Sequence, residues 1–258
     1  LEVTGARARV AGAGLGVGEA CVKMLADQGA SVGFCARNQA GVDRLAAYQP
    51  EGDGAVQGFI ADMNDAASTQ SFLEAATAEG DVDILINNVG ASPSRNFLYM
   101  ADEDWHSLHE LNVMSAVRCT RHCLPGMRKK QWGRVVMVAS GAAKYPSAAL
   151  IDYGTTKAAM ISMAKSLARK YGSDGVLVNS VLPGLIHTAM WERAATEIAE
   201  ASDATMDAVL ARNGKGVPVG RDGTSEEVAA MICFLASEAA SYVNGASIEV
   251  DGGTSGHI

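Results

Sequence analysis

Arg9-Val10-Ala11-Gly12-Ala13-Gly14-Leu15-Gly16-Val17-Gly18 joins the end of an apolar run to the start of a stretch with helical periodicity. Glycines at such a junction permit a tight turn and a close approach of backbone to ligand. The N–H groups that open a helix have no partner within it, and the helix dipole favours an anion there. Val17, Ala20, Cys21, Met24 and Leu25 then recur at the spacing of one helix face. Strand, glycine turn and helix N-terminus in that order make a seat for a pyrophosphate. Its backbone is expected from Gly12, Gly14, Leu15, Gly16, Val17 and Gly18. The earlier Val3-Thr4-Gly5 lacks the following glycines and reads as a turn before the first strand.

Outward from this junction the chain alternates apolar runs with helical stretches. Candidate strands fall at 8–11, 31–36, 55–61, 82–86, 134–140, 176–182 and 247–250. Their near-continuous Val, Ile and Leu content suits strands buried on both faces of a parallel sheet. Repeated strand–helix–strand units with right-handed crossovers predict one doubly wound α/β domain over 1–258, with a seven-stranded, mostly parallel sheet covered on both faces by helices. One segment breaks the rhythm. Residues 186–216 are long and helical in composition, as expected of a lid over a binding cleft.

Tyr153 and Lys157 stand four residues apart, with Ser140 thirteen residues upstream. Positions i and i+4 share a helix face, so an ammonium is expected beside a phenol. A neighbouring cation favours the phenolate, so Tyr153 is expected below its ordinary pKa of about 10 and suited to proton transfer near neutral pH. Ser140 supplies a hydroxyl to hold the oxygen that exchanges the proton. At the end of the second strand, Arg37-Asn38 follows the glycines by about twenty residues, where an acid would take a ribose 2′-OH and an arginine a 2′-phosphate. Ala36 offers no carboxylate and Arg37 a planar guanidinium, which favours NADP(H), with NAD(H) as the alternative.

With these motifs in order along nearly the whole chain, the sequence resembles the short-chain dehydrogenase/reductase family, in particular its 3-oxoacyl-carrier-protein-reductase-like members. The family's T-G-x-x-x-G-x-G is matched from Ala11 to Gly18, and its N-N-A-G by Asn87-Asn88-Val89-Gly90. Its helix asparagine falls at Asn112, its Ser…Tyr-x-x-x-Lys set at Ser140, Tyr153 and Lys157, and its Pro-Gly turn at Pro183-Gly184, followed by Thr188. Val250-Asp251-Gly252-Gly253 resembles its C-terminal signature. The resemblance implies a Rossmann fold, with Tyr153 as general acid/base. Lys157 would lower its pKa and bond the nicotinamide ribose, Ser140 orient the carbonyl, and Asn112 hold a helix and a water of the proton relay. It also implies that Ile186 backbone and the Thr188 hydroxyl meet the carboxamide, that Asp62 and Met63 lie at the adenine, and that Asn88 steadies the central sheet. Two departures stand out. Ala11 removes a hydroxyl that would tie the glycine loop, and Arg9 occupies a strand position where an apolar residue is usual and needs a partner if buried.

The pocket is expected from residues 91–97, 141–150 and the lid, with Tyr145, Leu150, Met190 and Trp191 beside Ser140. Phe97 and Leu98 add to its apolar character, which suits an apolar or aromatic ketone and its secondary alcohol. One alternative is a 3-oxoacyl-[acyl-carrier-protein] reductase, with Arg128-Lys129-Lys130 as a landing site for an acidic carrier. Another, of a different class, is a nucleotide-sensing protein without catalysis. A formal charge of −8 gives no footprint for nucleic acid or an anionic membrane. Five scattered cysteines without C-x-x-C argue against zinc and disulfides, and with no apolar run long enough to span a bilayer they lead to an expected cytoplasmic setting. His106, His109 and His122 lack carboxylates at ligand spacing, so no metal is expected. The resemblance implies a homotetramer or homodimer, through helices near 102–130 and 153–171.

Overall fold

A computed structural model describes residues 3–200, 202 and 204–256, without the side chains of residues 189, 190, 193, 194 and 213. Among the described residues seven strands form one sheet: β1 (Arg7–Ala11), β2 (Ser31–Ala36), β3 (Ala55–Ile60), β4 (Ile84–Asn87), β5 (Gly133–Val138), β6 (Val176–Pro183) and β7 (Ser247–Val250). Their spatial order is β3-β2-β1-β4-β5-β6-β7. Every neighbouring pair is parallel, with Ala8 opposite both Val32 and Ile84, and Met137 opposite Ser180. The boundaries lie within about two residues of those expected. The turn before β1 is also present, with Gly5 at φ +74°.

Parallel strands need crossovers, and helices supply them. They are α1 (Gly16–Asp27), α2 (Gln39–Ala46), α3 (Ala66–Thr77), α4 (Asp102–His109), α5 (Ser115–Lys130), α6 (Ile151–Tyr171), α7 (Ala189–Glu200), α8 (Met206–Lys215) and α9 (Ser225–Ala236). One core joins Val10, Phe34 and Ile86 of the sheet to Cys21 and Leu25 of α1 and Ile232 of α9. The other joins Leu85, Val135 and Val178 to Phe72 of α3, Met127 of α5 and Met160 of α6. Each large apolar side chain buried in this way contributes about 1.5–3 kcal/mol. The sheet is thus covered on both faces, and its strands read as unbroken apolar runs for that reason.

The chain order reverses between β1 and β4, which opens a crevice at the carboxyl ends of those strands. Both halves of the candidate site border it. The segment expected as a lid contains α7 and α8, which pack against each other.

Arg9 is buried at 6% exposure and has no carboxylate partner among the described residues. It donates instead to carbonyls: Nε to Ala76 at 2.5 Å, Nη1 to Ala8 at 2.7 Å and to Ser31 at 3.4 Å. Ala76 lies in the last turn of α3, where carbonyls lack helical partners and a cation is favoured. Gly33, opposite Arg9 in the register, leaves the room; a Cβ there would press on the Arg9 side chain. Burial lowers the Arg9 pKa from its ordinary value.

Candidate active site

The glycine turn is built by close approach. Gly12 and Gly16 have φ of +80° and +64°, the left-handed region that favours glycine. A Cβ at Gly12 would lie 3.0 Å from Val89 Cγ2, and one at Gly18 would run into the Gly12 carbonyl and the Asn88 amide. No side chain caps the N-terminus of α1, so its first N–H groups face the crevice for an anion. Glu19 lies in that first turn, where its charge would oppose a pyrophosphate. Arg44 of α2 takes both its oxygens at 2.7 Å, and Lys23 adds a third contact; these partners hold the Glu19 carboxyl below its ordinary pKa. Arg44 also donates to the Gly14 carbonyl at 2.6 Å.

The hydroxyl absent at Ala11 is offset by other ties. Gly12 N–H donates to Cys35 Sγ at 3.4 Å, Ala13 N–H to Cys35 O at 2.9 Å, and Asn88 Nδ2 to Gly12 O at 2.6 Å. Asn88 therefore fastens the turn itself rather than only the sheet. Arg37 is exposed at the end of β2, while Asn38 caps α2 by accepting Gly41 N–H at 2.8 Å. Asp62 is exposed, whereas Met63 turns its side chain into the core at 3% exposure.

Across the crevice, the π-helical turn Glu110–Met114 between α4 and α5 presents Asn112. Such single turns recur at functional sites. Asn112 is fully buried. Its Oδ1 accepts Ala91 N–H at 2.9 Å, and its Nδ2 donates to Ala91 O at 3.1 Å and to Thr156 Oγ1 at 3.0 Å. The side chain is thus a bracket between the loop after β4 and α6. Gly90 lets that loop close in, for a Cβ there would stand 3.0 Å from Lys157 Nζ.

Tyr153 and Lys157 lie in the first two turns of α6, as their spacing requires, with Lys157 Nζ 5.7 Å from the Tyr153 ring centre. Lys157 is buried, donates to Val138 O at 2.8 Å, and has its pKa lowered to about 8 by burial. Tyr153 departs from the expectation. Its pKa is raised, because burial among protein atoms outweighs a hydrogen bond with Ser140 that pulls the other way. The i, i+4 spacing places the ammonium but says nothing of how dry the site is, and dryness decides the direction. Ser140 Oγ accepts Ala142 N–H at 3.2 Å.

At the far wall, Gly184 N–H donates to Val250 O at 3.0 Å, which fixes the Pro183-Gly184 turn to β7. Ile186 is buried and pairs with Gly223 in an isolated parallel bridge. Thr188 Oγ1 accepts Trp191 N–H at 3.3 Å to start α7, and its methyl group faces Gly16. Trp191 donates its indole N–H to Asp222 Oδ2 at 3.1 Å. Tyr145 donates its hydroxyl to Glu249 at 3.1 Å, and Leu150 is half-buried before α6. Phe97 meets Trp105 edge to face at 6.4 Å, while Leu98 is 82% exposed. The Met190 side chain lies outside the described residues. Spacing alone did not reveal Arg44, Asn88 as a tie for the turn, or the Trp191–Asp222 contact; each joins residues distant in the chain.

Among the described residues no group of three His, Cys, Asp or Glu side chains could hold a metal. All five cysteines are free and buried. No helix among the described residues is long and apolar enough to cross a membrane.

A doubly wound sheet with an anion-ready glycine turn facing a Ser-Tyr-Lys set defines an oxidoreductase acting between CH–OH and C=O. A family model described as enoyl-(acyl carrier protein) reductase matches residues 12–255. The chain belongs to the short-chain dehydrogenase/reductase family. It is 38% identical over 248 residues to the uncharacterized oxidoreductase YvrD of Bacillus subtilis (strain 168), covering 95% of this chain and 94% of that protein. It is 36% identical to the 3-oxoacyl-[acyl-carrier-protein] reductase FabG of Salmonella typhimurium, covering 98% of each. L-sorbose reductase from Gluconobacter frateurii, solved with NADPH and L-sorbose, superposes with a TM-score of 0.94 at 30% identity, over 100% of this chain and 99% of that one. Actinorhodin polyketide ketoreductase, solved with NADPH, gives 0.93 at 26% identity over 98% of each.

Proposed function

We propose that the protein is an NADP(H)-dependent carbonyl reductase that interconverts a ketone and a secondary alcohol, with Tyr153 as the proton donor. The observation that carries this reading is the convergence of Ser140, Tyr153 and Lys157 at the crevice that the glycine turn opens. The residues fit the dinucleotide: Gly12, Gly14, Gly16 and Gly18 put no side chain in the way of a pyrophosphate, Leu15 and Val17 would offer backbone to it, and α1 is uncapped. Arg37 and Asn38 border the adenosine end, with Asp62 and Met63 backbone beside them. Asn88, Gly90, Pro183, Gly184, Ile186 and Thr188 border the nicotinamide end, together with Tyr153 and Lys157. When bound, the cofactor supplies the hydride that moves to or from the substrate carbon.

A phenol whose pKa is raised keeps its proton at neutral pH, which is the state a reductase needs before it protonates a developing alkoxide. Ser140 is held by Ala142 N–H and is hydrogen-bonded to Tyr153, so the two hydroxyls stand together where a substrate carbonyl oxygen would take the Ser140 proton in place of the phenol. Lys157, anchored on Val138 O, sets a cation behind the phenol as the proton leaves. The substrate is an apolar or aromatic ketone, and the hydrogen bonds at Tyr145 and Trp191 hold those two rings as walls.

A panel of ketones and alcohols, run with both cofactors on wild type and Tyr153→Phe, tests the reading. Tyr153→Phe is expected to lose nearly all turnover and still bind NADPH; retained turnover would remove Tyr153 from its role. Arg37→Ala is expected to weaken NADPH far more than NADH, and equal effects would refute the cofactor assignment.

A second reading, reduction of a 3-oxoacyl group on a carrier protein, draws on the likeness to FabG. Its expected basic landing site is largely committed within the chain. Arg128 pairs with Asp174 at 2.6 Å and lies over Tyr171, and Lys130 pairs with Asp83 at 2.6 Å. Turnover of an acyl-carrier substrate far above that of free ketones would favour this second reading.

A further inference from the structure

One buried carboxylate outside the Ser-Tyr-Lys set touches both the helix that carries Tyr153 and the loop that faces it. Asp152, 1% exposed, precedes Tyr153 in the first turn of α6. Its Oδ1 accepts Tyr153 N–H at 2.8 Å, and its Oδ2 pairs with Arg95 Nη1 at 3.1 Å. Arg95 reaches in the other direction to Asp104 Oδ1 in α4 at 3.2 Å, and the second Asp104 oxygen accepts Ala101 N–H at 3.0 Å. Four residues before Arg95, the same loop is pinned where Asn112 brackets Ala91. The span from Ala91 to Arg95, stiffened by Pro93, therefore runs from the Asn112–Thr156 side of the site to the Tyr153 side with both ends tied.

We propose that Asp152 and Arg95 are positioning residues for the reaction: the carboxylate fixes the first turn of α6 and, through the guanidinium, the opposing loop, so that the Tyr153 hydroxyl and the substrate carbonyl meet in one register. The proposal rests on Tyr153 as proton donor. A buried ion pair is weak evidence for stability, and its better-attested use is to select one arrangement. Here the arrangement selected is that of a reacting group, where a displacement near 1 Å costs about a hundredfold in rate.

The test measures kcat, KM, NADPH Kd and melting temperature for Arg95→Leu, Arg95→Lys, Asp152→Ala, Asp152→Asn and Tyr153→Phe in the full chain. Arg95→Leu and Asp152→Ala are expected to lower kcat by about tenfold or more with NADPH Kd within about twofold of wild type. Arg95→Lys and Asp152→Asn, which keep a donor and an acceptor, should recover kcat to within about threefold of wild type. The Arg95→Leu/Asp152→Ala double variant should be no slower than the worse single variant, since both break one coupling. If both truncations keep kcat near wild type while Tyr153→Phe is inactive, the pair is an ordinary structural contact and the proposal fails alone. Wild-type turnover in Tyr153→Phe overturns the proton-donor reading and this proposal with it. Should Asp152→Ala not fold, Arg95→Leu against Arg95→Lys decides in the same terms.

Discussion

Lys157 has its ammonium where water cannot reach it, and burial lowers its pKa from 10.5 to about 8. The unfolded chain holds this proton more tightly than the folded one. Between about pH 8 and 10.5 the unfolded state carries more protons, so the contribution of this group to stability rises with pH. Below pH 8 both states are charged, and the folded state bears the full desolvation cost, about 3 kcal/mol at the usual conversion. Lys157→Met is therefore expected to be more stable than wild type by up to about 3 kcal/mol at pH 7, less what the lost bond to Val138 O contributed. That advantage should fade as the pH is raised from 8 towards 10.5. Denaturant titrations of both proteins at several pH values check this. Tyr153 and the five cysteines, whose pKa values burial raises, are common to both proteins and largely cancel in the difference. Parallel stability–pH curves would show that burial does not burden this lysine. On the mechanism proposed above, the variant should also be inactive, since the charge that costs stability is the one that mechanism uses.

At the scale of elements, the α7–α8 segment expected as a lid is tied by the Trp191–Asp222 hydrogen bond. The other Asp222 oxygen is buried beside Gly214 of α8 without a protein hydrogen-bond partner. Asp222→Leu should free α7, raising KM for the ketone several-fold with little change in NADPH affinity; Asp222→Asn, which still offers an oxygen to the indole, should stay near wild type. Steady-state kinetics with substrate varied at saturating NADPH decides it, and an unchanged KM in Asp222→Leu would show that the lid is set elsewhere. Elements of this kind also mark what a sequence can reveal. The seven strands were legible because both faces of the sheet are covered, which leaves Val, Ile and Leu at successive positions. The glycine turn and Tyr153-x-x-x-Lys157 were legible because each is local in sequence. The π-helical turn at Asn112 was not, since one extra residue in a helical turn leaves no pattern of its own. Arg95–Asp152 and Tyr145–Glu249 join residues too far apart for spacing to pair them. The direction of the Tyr153 shift depended on dryness, a property of the packed fold.

For the whole molecule, the surface between α5 and α6 is the place to look for assembly. A groove of about 330 Å³ lies there, lined by Val117, Leu124, Met163, Leu167 and Tyr171, with Arg121 and Arg128 at its sides. Leu124 is buried, and Met163, Leu167 and Tyr171 are partly buried against the core that Met127 and Met160 complete, so the strip is the outer margin of that core. Apolar strips rimmed by charge mark association surfaces, and a two-fold contact would set the same strip of a second copy against it. The family resemblance implies the same helices as an interface. Met163 and Leu167 are only partly buried within one protomer, so a charge on each should leave the fold intact. Met163→Glu/Leu167→Glu is therefore expected to convert a dimer or tetramer into a smaller species in sedimentation velocity, with circular dichroism unchanged. Like charges brought face to face across a two-fold axis would oppose association, and burying them would cost solvation. A wild-type protein that sediments as a monomer, or a double variant that keeps the wild-type sedimentation coefficient, would remove this face from the assembly.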